Sequence, residues 1–191
     1  MILIRHGRPI GGVKDPGLSD LGRTQAEVVA DRLASESITV IVASSLQRAA
    51  ETAVPLATRL GLPVECVPDL REWEPYTPRP AYVVLEDLDD DHPQKLALAE
   101  GRYEAFVPPL DHDALRGRAR SVVADLFERH PGERIAAFAH GGIINAVLAE
   151  ILGISDRLYF HDPAYTAFAR VARLPGGRVI VRSMGETGHV T

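Results

Sequence analysis

Ile2-Leu3-Ile4-Arg5-His6-Gly7 places three apolar residues directly ahead of a guanidinium, an imidazole and a glycine. A short apolar run that ends in this way reads as a buried strand opening into a loop. The same grammar recurs twice. Ile38 to Ala43 is apolar and β-branched, stops at Ser44-Ser45, and is followed by a helical pattern from about Leu46 to Leu60. Ile135 to Ala139 stops at His140-Gly141-Gly142 and leads into an apolar helix from Ile143 to Leu152. Three strand–turn–helix units predict a mostly parallel sheet covered by helices.

The segments between these units agree with that architecture. Ser19 is a candidate N-cap for a helix running to about Ser35, with Leu21, Ala26, Val29, Ala30 and Leu33 sharing its inward face. Val64 to Val67 suits a further short strand. Asp111 to His130 returns to helical spacing, with Leu115, Ala119, Val122, Val123 and Leu126 inward and Pro131-Gly132 as the stop. Ala164 to Leu174 and Arg178 to Met184 flank Pro175-Gly176-Gly177, the pattern of an antiparallel hairpin. The expectation is a three-layer α/β/α sandwich with a mostly parallel central sheet and a C-terminal antiparallel hairpin. From Pro68 to Leu110 prolines loosen the pattern, so residues 68–110 read as a small helical and loop insertion over the sheet within a single domain spanning 1–191. Its acidic run, Glu86-Asp87-Leu88-Asp89-Asp90-Asp91, reads as a solvated helix end or loop.

Bulk properties narrow the function. A chain of 191 residues with 46% hydrophobic and 25% charged residues can bury a sizeable core. A net charge of −5 argues against nucleic-acid and anionic-membrane partners, which need a basic field, so any anion must meet a local cluster. Cys66 is the single cysteine, which excludes an internal disulfide and reads as a small buried hydrophobe. Only Ile2-Leu3-Ile4 stand between Met1 and Arg5, too short an apolar run for a secretory signal, and no run approaches a membrane span of about 20 residues; the cytoplasm is the expected compartment.

Ligands of open α/β sheets sit beyond the carboxyl ends of the strands. Those ends deliver Arg5, His6 and Gly7; Ser44 and Ser45 with Arg48 one turn into the helix; and His140, Gly141 and Gly142. Two arginines and two histidines from three separate parts of the chain are the kit a phosphate dianion calls for: guanidinium forks to clamp oxygens, imidazoles as donor or nucleophile, and backbone N–H groups at a helix start.

At these residues the chain resembles the histidine phosphatase superfamily, the phosphoglycerate mutase-like group. Arg5-His6-Gly7 is followed at similar spacing by Leu18-Ser19-Asp20-Leu21-Gly22-Arg23-Thr24-Gln25-Ala26, by Ser44-Ser45-Leu46-Gln47-Arg48-Ala49-Ala50-Glu51-Thr52 and by Ala139-His140-Gly141-Gly142. The resemblance implies that His6 is the nucleophile, that Arg5, Arg48, His140 and Gly141 complete a phosphate pocket, and that a glutamate after the third strand donates the proton. Glu72 fills that place, with Glu74 two residues away as the alternative. No metal or cofactor is implied, because cationic and donor side chains take the metal's place. The expected activity is a metal-independent phosphomonoester hydrolase working through phospho-His6 on a small phosphorylated metabolite. The alternatives are mutase-type phosphoryl transfer and a regulatory phosphate binder.

The chain also departs from the group. Trp73-Glu74-Pro75-Tyr76-Thr77 replaces the Gly-x-x-Glu-Gly of many small phosphatases, and Arg8-Pro9-Ile10-Gly11-Gly12 lacks the usual Glu or Gln and Asn. Arg79, Lys95 and Arg102 are the insertion's basic residues and read as ordinary surface. Trp73 and Tyr76 suit a substrate platform, core packing or the interface of a homodimer.

Two other chemistries fit less well. An α/β-hydrolase would use His140-Gly141-Gly142 as an oxyanion loop, but Gly153-Ile154-Ser155-Asp156-Arg157 lacks the final glycine of a nucleophile elbow and follows a helix. A metal hydrolase would draw on His92, His112, His130 or His161 with Asp111, Asp113 or Asp162, and none of these has metal-ligand spacing. His161 reads as a loop histidine with a local hydrogen bond, and His189 as exposed.

Overall fold

Alternate residues of the first strand enter two different cores. In the computed structural model, which describes residues 1–73, 81–100 and 111–189, strand β1 (Ile2–Arg5) sends Ile2 and Ile4 to one face of the sheet and Leu3 to the other. This period-two pattern recurs in β2 (Val40–Ala43) and β4 (Ile135–Ala139), whose residues are also divided between the two cores. Strands buried on both faces must be apolar throughout, which is why these runs lack polar alternation.

The described strands form one sheet in the order β3-β2-β4-β1-β5-β6, with β3 (Val64–Cys66), β5 (Phe168–Arg173) and β6 (Val179–Glu186) completing it. The pairs β1–β4, β2–β4 and β2–β3 are parallel; β5 is antiparallel to β1 and to β6. Helices α1 (Asp20–Leu33) and α2 (Gln47–Leu60) supply one core, through Val29, Ala30, Leu33, Ala53 and Leu56. Helix α3 (Pro93–Ala99) lies in the 81–100 segment. Helices α4 (His112–Arg129) and α5 (Gly141–Leu152) supply the other core, through Leu115, Val122, Leu126, Ile143, Val147 and Leu148. The expected three-layer α/β/α architecture and hairpin are both present. Among the described residues no helix is long and apolar enough to cross a membrane.

Four local expectations change. Leu21 is 50% exposed, and Gly22 takes the inward place at the start of α1, because the loop after β1 leaves no room there for a side chain. Cys66 is exposed, since β3 is an edge strand that pairs only with β2. Helix α5 begins at Gly141, two residues earlier than the apolar pattern suggests, with His140 as its N-cap. His189 is half-buried: its ring stacks on Phe168 at 4.1 Å and its Nε2–H donates to the Thr166 carbonyl at 2.9 Å. Tyr76, Arg79 and Arg102 lie outside the described residues.

The loop after β1 is seated by close backbone approach. A Cβ on Gly22 would lie 2.0 Å from the Arg8 carbonyl oxygen, and one on Gly7 would lie 2.6 Å from the Gly22 carbonyl oxygen. Ser19 fastens the same contact: its N–H and its hydroxyl both donate to the Arg8 carbonyl at 2.9 Å, while the hydroxyl oxygen accepts from Gly22 N–H at 3.1 Å. Gly22→Ala is therefore expected to destabilise by about 1–3 kcal/mol, the usual range for overpacking, and to lower Tm by several degrees. Gly117→Ala, in α4 with open space around it, is expected to stabilise by about 0.5–1 kcal/mol. Thermal unfolding followed by circular dichroism checks both; equal Tm values for the two variants would refute the packing argument.

Candidate active site

Sheet register brings the polar ends of three strands together. Arg5 lies opposite Ala139, and Ala43 opposite Phe138, so the residues that follow each strand emerge side by side. His6 N–H donates to the Ala139 carbonyl at 3.0 Å and Ser44 N–H to the Phe138 carbonyl at 2.9 Å. The result is a pair of imidazoles, His6 and His140, with ring centroids 5.1 Å apart at exposures of 1% and 0%.

The hydrogen bonds decide the tautomer of His6. Nδ1 lies 2.7 Å from the Gly7 carbonyl oxygen, which can only accept, so Nδ1 carries the proton. Nε2 keeps its lone pair and accepts from Arg48 Nε–H at 3.1 Å. Burial, and then the charges of Arg48 and Arg5, push the His6 pKa well below the ordinary histidine value. A neutral imidazole with Nε2 unprotonated can act as a nucleophile once the Arg48 hydrogen bond is released. His140 is held neutral in the same way, by burial first and then Arg48, His6 and Arg5. Its Nε2 is hydrogen-bonded to Ser44 Oγ at 2.8 Å, and its Nδ1 is buried without a hydrogen-bond partner among the described residues.

Aromatic rings carry the two guanidinium groups. The Arg5 guanidinium carbon sits 4.1 Å from the centre of the Tyr165 ring, and that of Arg48 sits 4.6 Å from Tyr82. Arg5 also donates to the Pro163 carbonyl, while its Nε is buried without a partner among the described residues. Arg48, 3% exposed, lies 3.6 Å from Asp15, a carboxylate that accepts from Gln47 N–H at the start of α2. Burial pushes the phenol pKa values of Tyr82, Tyr159 and Tyr165 upward, so all three rings keep their hydroxyl protons. Gly141 opens α5 beside Arg5: a Cβ there would come within 3.9 Å of Arg5 Nε.

Glu72 stands at the start of α5. One carboxyl oxygen accepts from Gly142 N–H at 3.2 Å; the other accepts from Ile143 N–H at 3.3 Å and from Trp73 N–H at 3.0 Å. A Cβ on Gly142 would lie 2.3 Å from that carboxyl, so the second glycine of His140-Gly141-Gly142 makes room for Glu72. These N–H groups, expected from the sequence to meet phosphate, are held by Glu72. Trp73 packs on the core and lies 5.4 Å from the Tyr159 ring, which forms an aromatic wall next to the carboxyl. Glu74, the alternative donor, lies outside the described residues.

Other members of the quoted sequence blocks turn out to be fasteners. Thr52 accepts from Gly7 N–H at 3.0 Å and Glu51 from Leu18 N–H at 2.7 Å, so α2 grips both ends of the first loop. Gln25 accepts from Arg8 N–H at 2.8 Å. Asn145, fully buried, donates to the Gly141 and His161 carbonyls and accepts from Phe160 and His161 N–H, which docks the 158–163 loop on α5. Thr166 adopts φ +61°, a left-handed conformation that costs a β-branched residue on the order of 1–3 kcal/mol. Its N–H donates to the Arg5 carbonyl at 3.1 Å, so the strained turn sets Tyr165 against Arg5.

The acidic run is exposed, as the solvated reading implies, and its front also makes surface contacts. Glu86 accepts from the Tyr165 hydroxyl at 3.1 Å and Asp87 pairs with Arg8. Lys95 pairs with Asp90 at the surface, as its ordinary-surface reading implies. Among the residues weighed for a metal, Asp111 caps α4, Asp162 accepts from Tyr159, and His92 accepts from Gln94 N–H. His161 is a loop histidine that exchanges backbone hydrogen bonds with Asn145, and among the described residues its Nε2 is buried without a partner. Tyr82, Tyr165, Asn145 and Thr166 escaped the sequence reading because nothing local marks them; their importance comes from partners far away in the chain.

A doubly covered sheet with a buried neutral imidazole between two guanidinium groups defines a phosphoryl-transfer enzyme. Residues 1–186 match the model of the histidine phosphatase superfamily (branch 1), and the chain belongs to that family. It is 32% identical over 173 residues to a glucosyl-3-phosphoglycerate phosphatase of Mycobacterium tuberculosis, covering 80% of this chain and 74% of the relative. It is 27% identical over 202 residues to a metal-independent phosphoserine phosphatase of Arabidopsis thaliana, covering 100% and 83%. Among solved structures, a mycobacterial glucosyl-3-phosphoglycerate phosphatase complexed with VO3 superposes with a TM-score of 0.78 at 26% identity, covering 98% of this chain and 99% of that one.

The buried histidines make stability depend on pH. Both are neutral when folded and take up a proton below about pH 6.5 once unfolded. The unfolded state then binds more protons, so stability is fully present above that value and is lost as pH falls through and below it. Tm is expected to drop between pH 7 and pH 5, and to drop less in His140→Asn. Calorimetry across that range checks the sign; equal slopes in the two proteins would count against it.

Proposed function

We propose that this protein hydrolyses phosphomonoesters of small metabolites through a covalent phosphohistidine on His6, without a metal. The observation that carries this reading is the His6 tautomer: a proton fixed on Nδ1 by the Gly7 carbonyl, and an Nε2 lone pair facing Arg48. The names of the two phosphatase relatives support hydrolysis over mutase-type transfer.

His6 Nε2 attacks phosphorus in line as the ester P–O bond breaks. Arg5, Arg48 and His140 hold the equatorial oxygens, with Gly141 allowing close approach beside Arg5. Arg48 passes from the imidazole to the incoming phosphoryl group. Glu72, protonated, gives its proton to the leaving oxygen; as carboxylate it then takes a proton from water, whose oxygen bonds to phosphorus as the N–P bond breaks. Orthophosphate leaves and both residues return to their starting forms. The Trp73–Tyr159 wall beside Glu72 borders the leaving group, which suits a small sugar or polyol ester.

Residues 68–110 act as an insertion over the site within a single domain. The net charge of −5 supports a protein without a nucleic-acid partner, and the cytoplasm is the compartment proposed. Intact protein is expected to turn over p-nitrophenyl phosphate, and His6→Ala to lose at least about 10³-fold in rate. Rapid quenching should trap an acid-labile, base-stable phosphoprotein that His6→Ala lacks. An intact protein inactive from acidic to neutral pH would sink the hydrolase reading.

A further inference from the structure

We propose that Arg118 is a positioning residue for proton transfer: its guanidinium staples the backbone that carries Glu72 and so sets the carboxyl against the leaving oxygen. This rests on the reading of Glu72 as proton donor.

Glu72 has no secondary structure of its own to hold it. It follows the 3₁₀ turn Pro68–Leu70 and precedes residues that belong to no described element. A general acid works only when its proton lies within hydrogen-bond reach of the atom it serves, so a carboxyl on a loop needs external support. Arg118 projects from α4, whose neighbouring residues Leu115, Ala119 and Val122 are rooted in the core. Its Nη1 donates to the Arg71 carbonyl at 2.7 Å and the Asp69 carbonyl at 3.3 Å, and its Nη2 to the Glu72 carbonyl at 3.2 Å.

A planar fork reaching three carbonyls within four residues restrains the direction of the chain as well as its position. The carboxyl's own contacts are with Gly142, Ile143 and Trp73 N–H. Glu72 is thus held between two helices: α4 grips its backbone and α5 its side chain. Lysine cannot reproduce this grip, because a single ammonium lacks the fork.

Leaving-group chemistry separates positioning from mere stabilisation. p-Nitrophenolate departs without protonation, whereas an alkoxide needs the proton from Glu72. In Arg118→Met, kcat/KM for glycerol phosphate is expected to fall about 100-fold, within the range a general acid contributes, while that for p-nitrophenyl phosphate falls less than about threefold. Inhibition by inorganic phosphate should stay unchanged, and Arg118→Lys should lie between Arg118→Met and the intact protein. Glu72→Gln should show the same selective loss, and Arg118→Met combined with Glu72→Gln should lose no more than Glu72→Gln alone.

Equal losses on both esters in folded Arg118→Met, or multiplicative losses in the double variant, would overturn the positioning role. If Arg118→Met does not fold, the Lys variant decides on the same ratio: no selective loss refutes the proposal. If Glu72→Gln itself shows no leaving-group dependence, the donor reading falls and this proposal with it; if only the Arg118 variants lack it, the proposal alone falls.

Discussion

The hydrogen bond from Arg48 Nε–H to His6 Nε2 is the contact around which the rest of the molecule is arranged. Two groups that would repel if both were charged can be buried together only when the imidazole is neutral. The Gly7 carbonyl selects the tautomer, which ties the side chain of one residue to the backbone of the next. That backbone in turn depends on Gly22, on Thr52 and on the Ser19 cap, so the chemistry of one nitrogen is linked to the seating of α1 and α2.

Arg5 and Arg48 are each backed by an aromatic ring, and Arg48 also has the Asp15 carboxylate at 3.6 Å. A ring stabilises the cation without neutralising it, so the charge stays available to an anion. Glu72 lies on the N–H groups that open α5.

The departures from the family's usual sequence acquire a physical sense in the fold. Trp73, directly after Glu72, packs against the core and the Tyr159 ring. Arg8, in the first loop, is paired with Asp87. Here the acidic run serves the rim of the site, through Asp87 on Arg8 and Glu86 on Tyr165. The run is exposed, as its charge composition suggested, and these two contacts are what the fold adds.

Much of this protein is determined locally. Apolar runs buried on both faces of a sheet have to be continuous, and a polar turn has to follow where a strand leaves the core; β1, β2, β4 and the helices after them were therefore legible, along with Arg5, His6, Arg48 and His140 at their ends. Glu72 was legible by its place after the third strand, but its anchorage was not. The exposures of Leu21 and Cys66 also required the fold, because an apolar side chain carries no mark of the backbone that will crowd it or of the sheet edge it will occupy. Tertiary structure alone decided the His6 tautomer, the aromatic support of the arginines, the strained turn at Thr166 and the stapling of Glu72 by Arg118. Each depends on atoms that are distant in the chain and adjacent in space, and hydrogen bonds and ring contacts act only over a few ångströms.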